Sequence, residues 1–148
     1  MARVTTGLLL RDVVEADVPI FFAHQLDPVA NELAAFPPRD RGAFATHWAK
    51  IMANEAVVIK TVVVDGHVAG NVLSFEHEGR REVGYWLGRT FWGKGVATSA
   101  LAKFLVVEKR RPLLAAVAKH NVGSIRVLEK CEFAISSENE EQVILELR

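Results

Sequence analysis

Residues 92–98 have the sequence Trp92-Gly93-Lys94-Gly95-Val96-Ala97-Thr98 and join a predicted strand to a predicted helix. The strand, Val83–Leu87, stops at Gly88, and the helix is predicted over 96–108 from apolar residues spaced three and four apart. Glycines before a helix leave backbone N–H groups bare at the positive end of the helix dipole. The stretch therefore predicts an anion-binding turn, while two glycines alone also suit any tight turn with positive φ.

The sequence around this turn predicts an α/β fold. On its N-terminal side we expect a strand at 8–11, helices over 15–25 and 39–54, and strands over 56–64, 68–75 and 83–87. Asp65-Gly66 and Glu78-Gly79 are two-residue hairpin turns, so these strands should be antiparallel. On its C-terminal side we expect a strand over 113–117, a helix over 121–130 capped by Asn121, and strands over 133–135 and 143–147. The prediction is one domain over residues 1–148, with a mixed, mostly antiparallel central sheet flanked by helices.

Composition narrows the class of protein. The 148 residues are 50% hydrophobic, with 18 basic and 18 acidic side chains, so we expect one core and no nucleic-acid or anionic-membrane partner. Cys131 is the only cysteine, which excludes an internal disulfide and argues against a thiolate metal site, and no metal is expected. The first six residues lack the apolar run of a signal peptide, and no run is long enough to span a bilayer. We therefore expect a cytoplasmic protein, monomeric or homodimeric.

Two nucleotide-binding patterns compete for the glycine-rich turn. Residues 88–94 satisfy the first seven positions of a P-loop, but Gly95 stands where that loop needs a Ser or Thr hydroxyl for magnesium. The dinucleotide fingerprint needs a third glycine, and Thr98 occupies its place. A P-loop phosphotransferase stays open as a weaker alternative.

Three motifs together resemble the GNAT superfamily of acetyltransferases over nearly the whole chain. They resemble most its ribosomal-protein N-acetyltransferase (RimJ/RimL-like) branch. The motifs are the strand Gly84-Tyr85-Trp86-Leu87, the turn Trp92-Gly93-Lys94-Gly95-Val96-Ala97 and the helix Asn121-Val122-Gly123-Ser124-Ile125-Arg126-Val127-Leu128-Glu129-Lys130.

The resemblance implies that acetyl-CoA is the cosubstrate and assigns residues to it. The strand at Tyr85, Trp86 and Leu87 would bond the pantetheine arm through its backbone, and Asn121 would bond the same arm. Ser124 would contact the cofactor or the leaving thiol, although a serine in a first helical turn more often helps to cap it. In the family's Gln/Arg-x-x-Gly-x-Gly/Ala pattern, Gly95 and Ala97 match and Trp92 takes the Gln/Arg place. The pyrophosphate would be gripped by Trp92, Gly93, Lys94, Gly95, Val96, Ala97 and Thr98.

Two departures from the family pattern carry information. Glu132 stands where relatives place a glycine in the left-handed conformation, which should cost about 1 kcal/mol. Leu128 stands where many relatives place a tyrosine that protonates the departing thiolate. A tyrosine acid at that position is therefore excluded, and the chain's only tyrosine is Tyr85.

The expected chemistry is direct acetyl transfer to a primary amine, either a peptide N-terminus or a small molecule. Glu82 is the candidate base, acting through water, against the alternative of a solvated edge carboxylate. Glu76, His77 and His120 are further candidates. Cys131 is expected to pack inward without a catalytic role. A catalytically weak acyl-CoA-binding module is the non-enzymatic alternative, favoured by Leu128.

Overall fold

A computed structural model describes residues 7–148. The first six residues, where no signal peptide was expected, lie outside the described part. The seven strands form one sheet in the order β1-β2-β3-β4-β5-β7-β6. The strands are β1 (Leu8–Arg11), β2 (Val58–Val64), β3 (His67–His77), β4 (Arg80–Leu87), β5 (Leu113–Ala118), β6 (Ala134–Glu138) and β7 (Gln142–Leu147). All neighbouring pairs are antiparallel except β4 and β5, which confirms the predicted fold class.

Five α-helices cover the two faces of the sheet. They are α1 (Val18–Gln25), α2 (Pro28–Ala34), α3 (Arg41–Ala53), α4 (Val96–Val107) and α5 (Val122–Lys130). On one face α4 and α5 cover the main core, which includes Leu101, Phe104 and Leu128. On the other face α1 and α3 bury an aromatic cluster of Phe21, Phe22, Phe44 and Trp48, with the Phe21 and Trp48 rings 4.8 Å apart. Within residues 7–148, no helix is both long and apolar enough to cross a membrane.

The hairpin turns follow the prediction. Asp65 and Gly66 have φ of 49° and 81°, and Glu78 and Gly79 have φ of 51° and 77°. Positive φ at both central residues is the hairpin geometry that matches the twist of the strands. These two turns produce the antiparallel β2-β3-β4 meander.

Several predicted boundaries were wrong. The helix expected over 15–25 begins as a 3-10 turn at Glu15–Asp17, where the Asp17 carboxylate accepts the Val14 N–H at 3.0 Å. The helix expected over 39–54 begins at Arg41, because Asp40 caps it by accepting the Ala43 N–H at 2.8 Å. Phe133, expected in a strand, instead donates its N–H to the Leu128 carbonyl at 3.0 Å and so closes the C-terminus of α5.

A buried ionic cluster lies where α4 ends against β3 and β4. Glu108, 2% exposed, accepts hydrogen bonds from Ser74 Oγ at 2.5 Å and from Arg110 Nε at 2.9 Å. Arg81 Nε lies 3.6 Å from the same carboxylate. Burial alone would raise the pKa of Glu108, but the hydrogen bonds from Arg110 and Ser74 lower it to about 2. The cluster fixes the C-terminal end of α4 on the sheet.

Candidate active site

The centre of the sheet contains a gap between β4 and β5. Glu82 and Leu114 are the only residue pair that joins the two strands in the described ladder. Beyond this pair β4 stays matched to β3 as far as Leu87, and β5 stays matched to β7 as far as Ala118. Residues 83–87 and 115–118 therefore present two strand edges that are unpaired on the sides facing each other. The separation begins at Glu82, five residues before β4 ends at Leu87.

A cavity of about 120 Å³ occupies this gap. Its walls come from β4, β5, α5 and α2. The lining residues are Ala34, Val83, Gly84, Tyr85, Ala115, Ala116, Val117, Ala118, Asn121, Ser124 and Leu128. Small side chains dominate the list, so the cavity presents much backbone and little side-chain bulk.

The two faces of β4 have different partners. The indole N–H of Trp86 donates to the His24 carbonyl of α1 at 3.3 Å, whereas the hydroxyl of Tyr85 lies 2.6 Å from Ser124 Oγ on α5. Alternate residues of a strand share a face. Glu82 therefore lies on the α1 side with Gly84 and Trp86, and Tyr85 lies on the α5 side.

Glu82 lies in the interior of the sheet and not at its outer edge. Strand β4 is interior to the sheet, with β3 on one side and β5 on the other, so Glu82 does not lie on an outer edge strand. Glu82 is half-buried and occupies the vertex from which β4 and β5 separate. Its side chain lies on the α1 side of the sheet and is not among the side chains that line the cavity.

The other candidate bases lie elsewhere. Glu76 and His77 are exposed at the β3-β4 hairpin, and His77 Nε2 is 3.6 Å from the Glu78 carboxylate. His120 Nε2 lies 2.6 Å from the Glu32 carbonyl, so it links the start of α5 to α2. Like Glu82, none of the three lines the cavity.

The Tyr85–Ser124 pair spans the gap on the α5 side. Burial raises the pKa of Tyr85 to about 12, against a smaller opposing effect of its hydrogen bond to Ser124. Tyr85 therefore keeps its phenolic proton at neutral pH. The Ser124 hydroxyl points to Tyr85, while the cap of α5 is the Asn121 side chain, which accepts the Ser124 N–H at 3.3 Å.

The glycine-rich turn leads directly into α4. Gly93 and Gly95 have φ of 72° and 77°, and Gly95 is the N-cap residue of α4. No side chain of residues 7–148 caps this helix, and its hydrogen bonding starts with the Ser99 N–H, which donates to the Gly95 carbonyl at 3.0 Å. A Cβ at Gly93 would meet no atom within 4 Å. The turn thus offers open space beside the bare N–H groups of Val96, Ala97 and Thr98, which suits an anion such as a pyrophosphate.

Trp92 has a structural contact that the sequence did not reveal. Its indole N–H donates to the Leu87 carbonyl at 3.1 Å and so closes the 3-10 turn Arg89–Phe91 between β4 and the glycines. The same bond occupies one carbonyl at the end of β4. Trp92 therefore positions the turn and leaves only its ring to contact a ligand.

Cys131 packs inward as expected. It is 9% exposed, its Sγ lies 3.7 Å from the Thr98 carbonyl, and burial raises the pKa of its thiol. Its neighbour Glu132 has φ of 73°, the left-handed conformation expected at that position.

Helix α2 was missed in the sequence and contributes Ala34 to the cavity. Its start carries a recognisable signal, since Asp27 accepts the Val29 N–H at 3.0 Å and Pro28 follows at the first helical position. His24 of α1 was also missed; burial lowers its pKa, and a Cβ at Gly88 would come within 2.7 Å of its Nε2. The end of β4 therefore rests directly on α1.

Comparisons with known proteins agree with this architecture. Residues 7–134 match the family described as the acetyltransferase (GNAT) domain. A comparison with curated protein sequences finds no match. Among solved structures, an acetyltransferase of the GNAT family from Bacillus anthracis superposes with a TM-score of 0.82 at 15% identity, covering 99% of this chain and 98% of that one.

Two similar structures contain the cosubstrate or its product. The ribosomal L7/L12 α-N-protein acetyltransferase RimL, in complex with coenzyme A, has a TM-score of 0.79 at 17% identity, covering 96% of this chain and 94% of its own. The N-acetyltransferase PseH of Campylobacter jejuni, in complex with acetyl-CoA, has a TM-score of 0.72 at 14% identity, with coverages of 95% and 98%. At these identities the likeness establishes the fold.

Proposed function

This chain belongs to the GNAT family of acetyltransferases, and from that premise we propose that it transfers an acetyl group from acetyl-CoA directly to a primary amine. The observation that carries the proposal is the gap between β4 and β5, with an anion-binding turn at one end and a carboxylate at the other. We further propose that residues 1–148 act as one acetyltransferase domain.

The proposed binding mode uses residues of the gap and the turn. The backbone N–H groups of Val96, Ala97 and Thr98 would bind the pyrophosphate at the start of α4. The unpaired edge of β4 at Tyr85–Leu87 would hydrogen-bond the pantetheine arm in the manner of an added strand. Gly93 supports this mode because its open side leaves room for the phosphates.

The proposed reaction begins with a free amine. Its nitrogen bonds to the acyl carbon, the C–S bond breaks, and the sulfur keeps the electron pair. Glu82 would accept the amine proton through a water on the α1 side, and a backbone N–H of the β4 edge would stabilise the tetrahedral oxyanion. A thiol with a pKa of about 8.5 leaves readily as the thiolate, so strong acid assistance is not required.

The expected class of acceptor amine follows from the fraction of each amine that is unprotonated at pH 7. A terminal α-amine with a pKa of about 8 is roughly one-tenth free base at pH 7, whereas a lysine amine near 10.4 is below about a thousandth. A site with a single carboxylate favours the α-amine, either a peptide N-terminus or a small molecule. A peptide N-terminus as acceptor would agree with the proposed RimJ/RimL-like branch.

The test compares ligands and then turnover. Acetyl-CoA should raise the melting temperature and magnesium-ATP should not; the reverse would favour a P-loop phosphotransferase. Free thiol release is then measured with peptides, polyamines and small amines. An acetyl-CoA shift without thiol release from any of them would favour the acyl-CoA-binding module, which the donor-free side chain of Leu128 in the cavity wall also supports.

A further inference from the structure

Helix α2 is tied to the chain segments that follow both central strands. The Asp27 carboxylate, at the N-cap of α2, lies 2.9 Å from Nε of Arg89, two residues after the end of β4. Near the other end of the helix, the Glu32 carbonyl lies 2.6 Å from Nε2 of His120, two residues after the end of β5. The last helical residue, Ala34, lines the cavity. Helix α2 therefore bridges the C-terminal ends of the two strands that separate.

Asn31 of α2 has a buried oxygen atom without a hydrogen-bond partner. Within residues 7–148, three buried side-chain atoms lack such a partner, and they are His24 Nδ1, Asn31 Oδ1 and Arg81 Nε. Arg81 Nε lies 3.6 Å from the Glu108 carboxylate, so its charge is compensated. A buried carbonyl oxygen without a donor costs about 1 to 3 kcal/mol. An atom of this kind beside a cavity points to a donor that a ligand supplies.

Asn31 lies on the side of α2 that borders the gap. Residues three and four apart share a face of a helix, so Asn31 shares a face with Asp27 and Ala34. Asp27 contacts the segment after β4, and Ala34 lines the cavity. Asn31 is not itself among the lining residues, so it borders the cavity without forming its wall. Because α2 follows α1 after two residues and contacts both α1 and β5, this border is on the α1 side, where the amine is proposed to approach.

Resting on the proposed function, we propose that Asn31 binds the acceptor, its side-chain carbonyl accepting one N–H of the primary amine that attacks acetyl-CoA. A free primary amine has two N–H bonds and one lone pair. In the transfer the lone pair bonds to the acyl carbon, the C–S electron pair passes to the sulfur, and Glu82 takes one amine proton through water. The other hydrogen stays on the nitrogen of the amide product. Asn31 holds this second hydrogen, so no covalent bond to Asn31 forms or breaks.

The proposal makes Asn31 a determinant of selectivity between primary and secondary amines. A secondary amine has a single N–H, and the base removes it during transfer. Such an amine cannot also donate a hydrogen that stays, so Asn31 Oδ1 remains unpaired. A site built to hydrogen-bond a substrate group rejects an analogue that lacks the group, because its own buried polar atom is left without a partner. The unmodified protein should therefore prefer a primary amine to its N-methyl derivative.

The experiment measures kcat and KM for two acceptors in the unmodified protein and in Asn31→Leu. The acceptors are the primary amine that gives the fastest thiol release and the same compound with one N-methyl group. Asn31→Leu should raise the KM for the primary amine about tenfold and change the KM for acetyl-CoA less than about threefold. It should leave kcat/KM for the N-methyl derivative within about threefold. Its melting temperature should be no lower, because an apolar group replaces an unpaired carbonyl.

Two further variants make the test specific. Asn31→Asp keeps an oxygen atom and removes the amide N–H groups, so its KM for the primary amine should stay within about threefold of the unmodified value. Glu32→Gln, at the exposed neighbouring position of the same helix, is the control and should leave both KM values unchanged.

Four results would overturn the proposal. They are an equal loss with both amines, a raised KM for acetyl-CoA instead of the amine, an Asn31→Asp variant as poor as Asn31→Leu, and a lower melting temperature in Asn31→Leu. If the unmodified protein transfers acetyl to no amine, the proposed function and this inference both fail. If it transfers acetyl and Asn31→Leu matches it with both amines, only this inference fails.

Discussion

At the scale of single residues, Glu82 has a position that only the sheet topology explains. The residue pairs with Phe75 of β3 and with Leu114 of β5, and beyond it the two central strands separate. Its side chain shares a face with Gly84, which has no side chain to block access from the α1 side. In the proposed reaction the amine would approach this carboxylate from the α1 side.

Glu82→Gln should therefore slow transfer to an α-amine far more at pH 7 than at pH 9. At pH 7 most of the amine is protonated and needs a base, whereas at pH 9 most of it is already free. Initial rates of thiol release at the two pH values check this. Equal losses at both would argue against a base, and the same pH pattern in Glu76→Gln would assign the base to β3 instead.

Residue-level predictions succeeded where the signal is local. Asn121 as a cap and the inward-facing Cys131 follow from neighbouring residues in the sequence, and Glu132 with positive φ follows from the family pattern. The Tyr85–Ser124 hydrogen bond joins residues 39 apart, and the Trp86–His24 bond joins residues 62 apart. No periodicity or motif encodes such distances, so these contacts required the structure.

At the scale of elements, a glycine in the turn before α4 has two separate effects. It allows a positive φ, and it leaves open space beside the backbone. Gly93 and Gly66 have φ of 72° and 81°, and a Cβ at either position would meet no atom within 4 Å. Gly66 lies in the β2-β3 hairpin, outside the turn that precedes α4. The two glycines therefore share a backbone conformation. They differ in that only Gly93 would have the phosphates of acetyl-CoA beside it in the proposed binding mode.

Gly93→Ala and Gly66→Ala should each lower the free energy of unfolding by about 1 kcal/mol, because the left-handed conformation is less favourable for alanine than for glycine. Only Gly93→Ala should also weaken acetyl-CoA binding, by at least about tenfold, since its methyl group would occupy the space for the phosphates. Denaturant unfolding and calorimetric titration measure the two effects. Equal affinities in both variants would contradict a phosphate site at this turn.

Elements with long periodic patterns were predicted with boundaries in error by one to three residues. Helix α2 was missed because its seven residues are too few to show a helical period, although Asp27-Pro28 marks its start. The gap between β4 and β5 leaves no signal in the sequence of either strand, because each strand by itself has an ordinary apolar pattern. Pairing depends on two segments of the chain, so the sequence of one strand alone does not show where its pairing with another strand stops.

At the scale of the whole molecule, two buried carboxylates make the free energy of unfolding depend on pH. Hydrogen bonding by Arg11 lowers the pKa of Asp17 from 3.8 to about 2, and the Glu108 cluster lowers that carboxyl from 4.5 to about 2. A folded-state pKa below the unfolded value stabilises the protein above the unfolded pKa. That stabilisation is complete above about pH 5 and is lost as the pH falls towards 2.

Glu108→Gln should flatten the fall in unfolding free energy between pH 4.5 and 2. It should also lower stability at pH 7 by about 3 kcal/mol, because Arg81 and Arg110 lose their buried partner. Denaturant unfolding across that pH range measures both effects. Glu146→Gln, which disrupts only a contact with the exposed Arg148, should leave the curve unchanged; a Glu108→Gln curve parallel to that of the unmodified protein would contradict the assignment.

The gap in the sheet also bears on aggregation. An unpaired strand edge invites a foreign strand to pair with it, which is why proteins keep exposed edges short or interrupted. The outer strands β1 and β6 are only four and five residues long. The edges of β4 and β5 face each other inside the molecule, joined at Glu82 and Leu114 and flanked by α2 and α5. The fold thus offers backbone hydrogen-bonding groups to a thin, unbranched ligand while shielding them from other polypeptide chains.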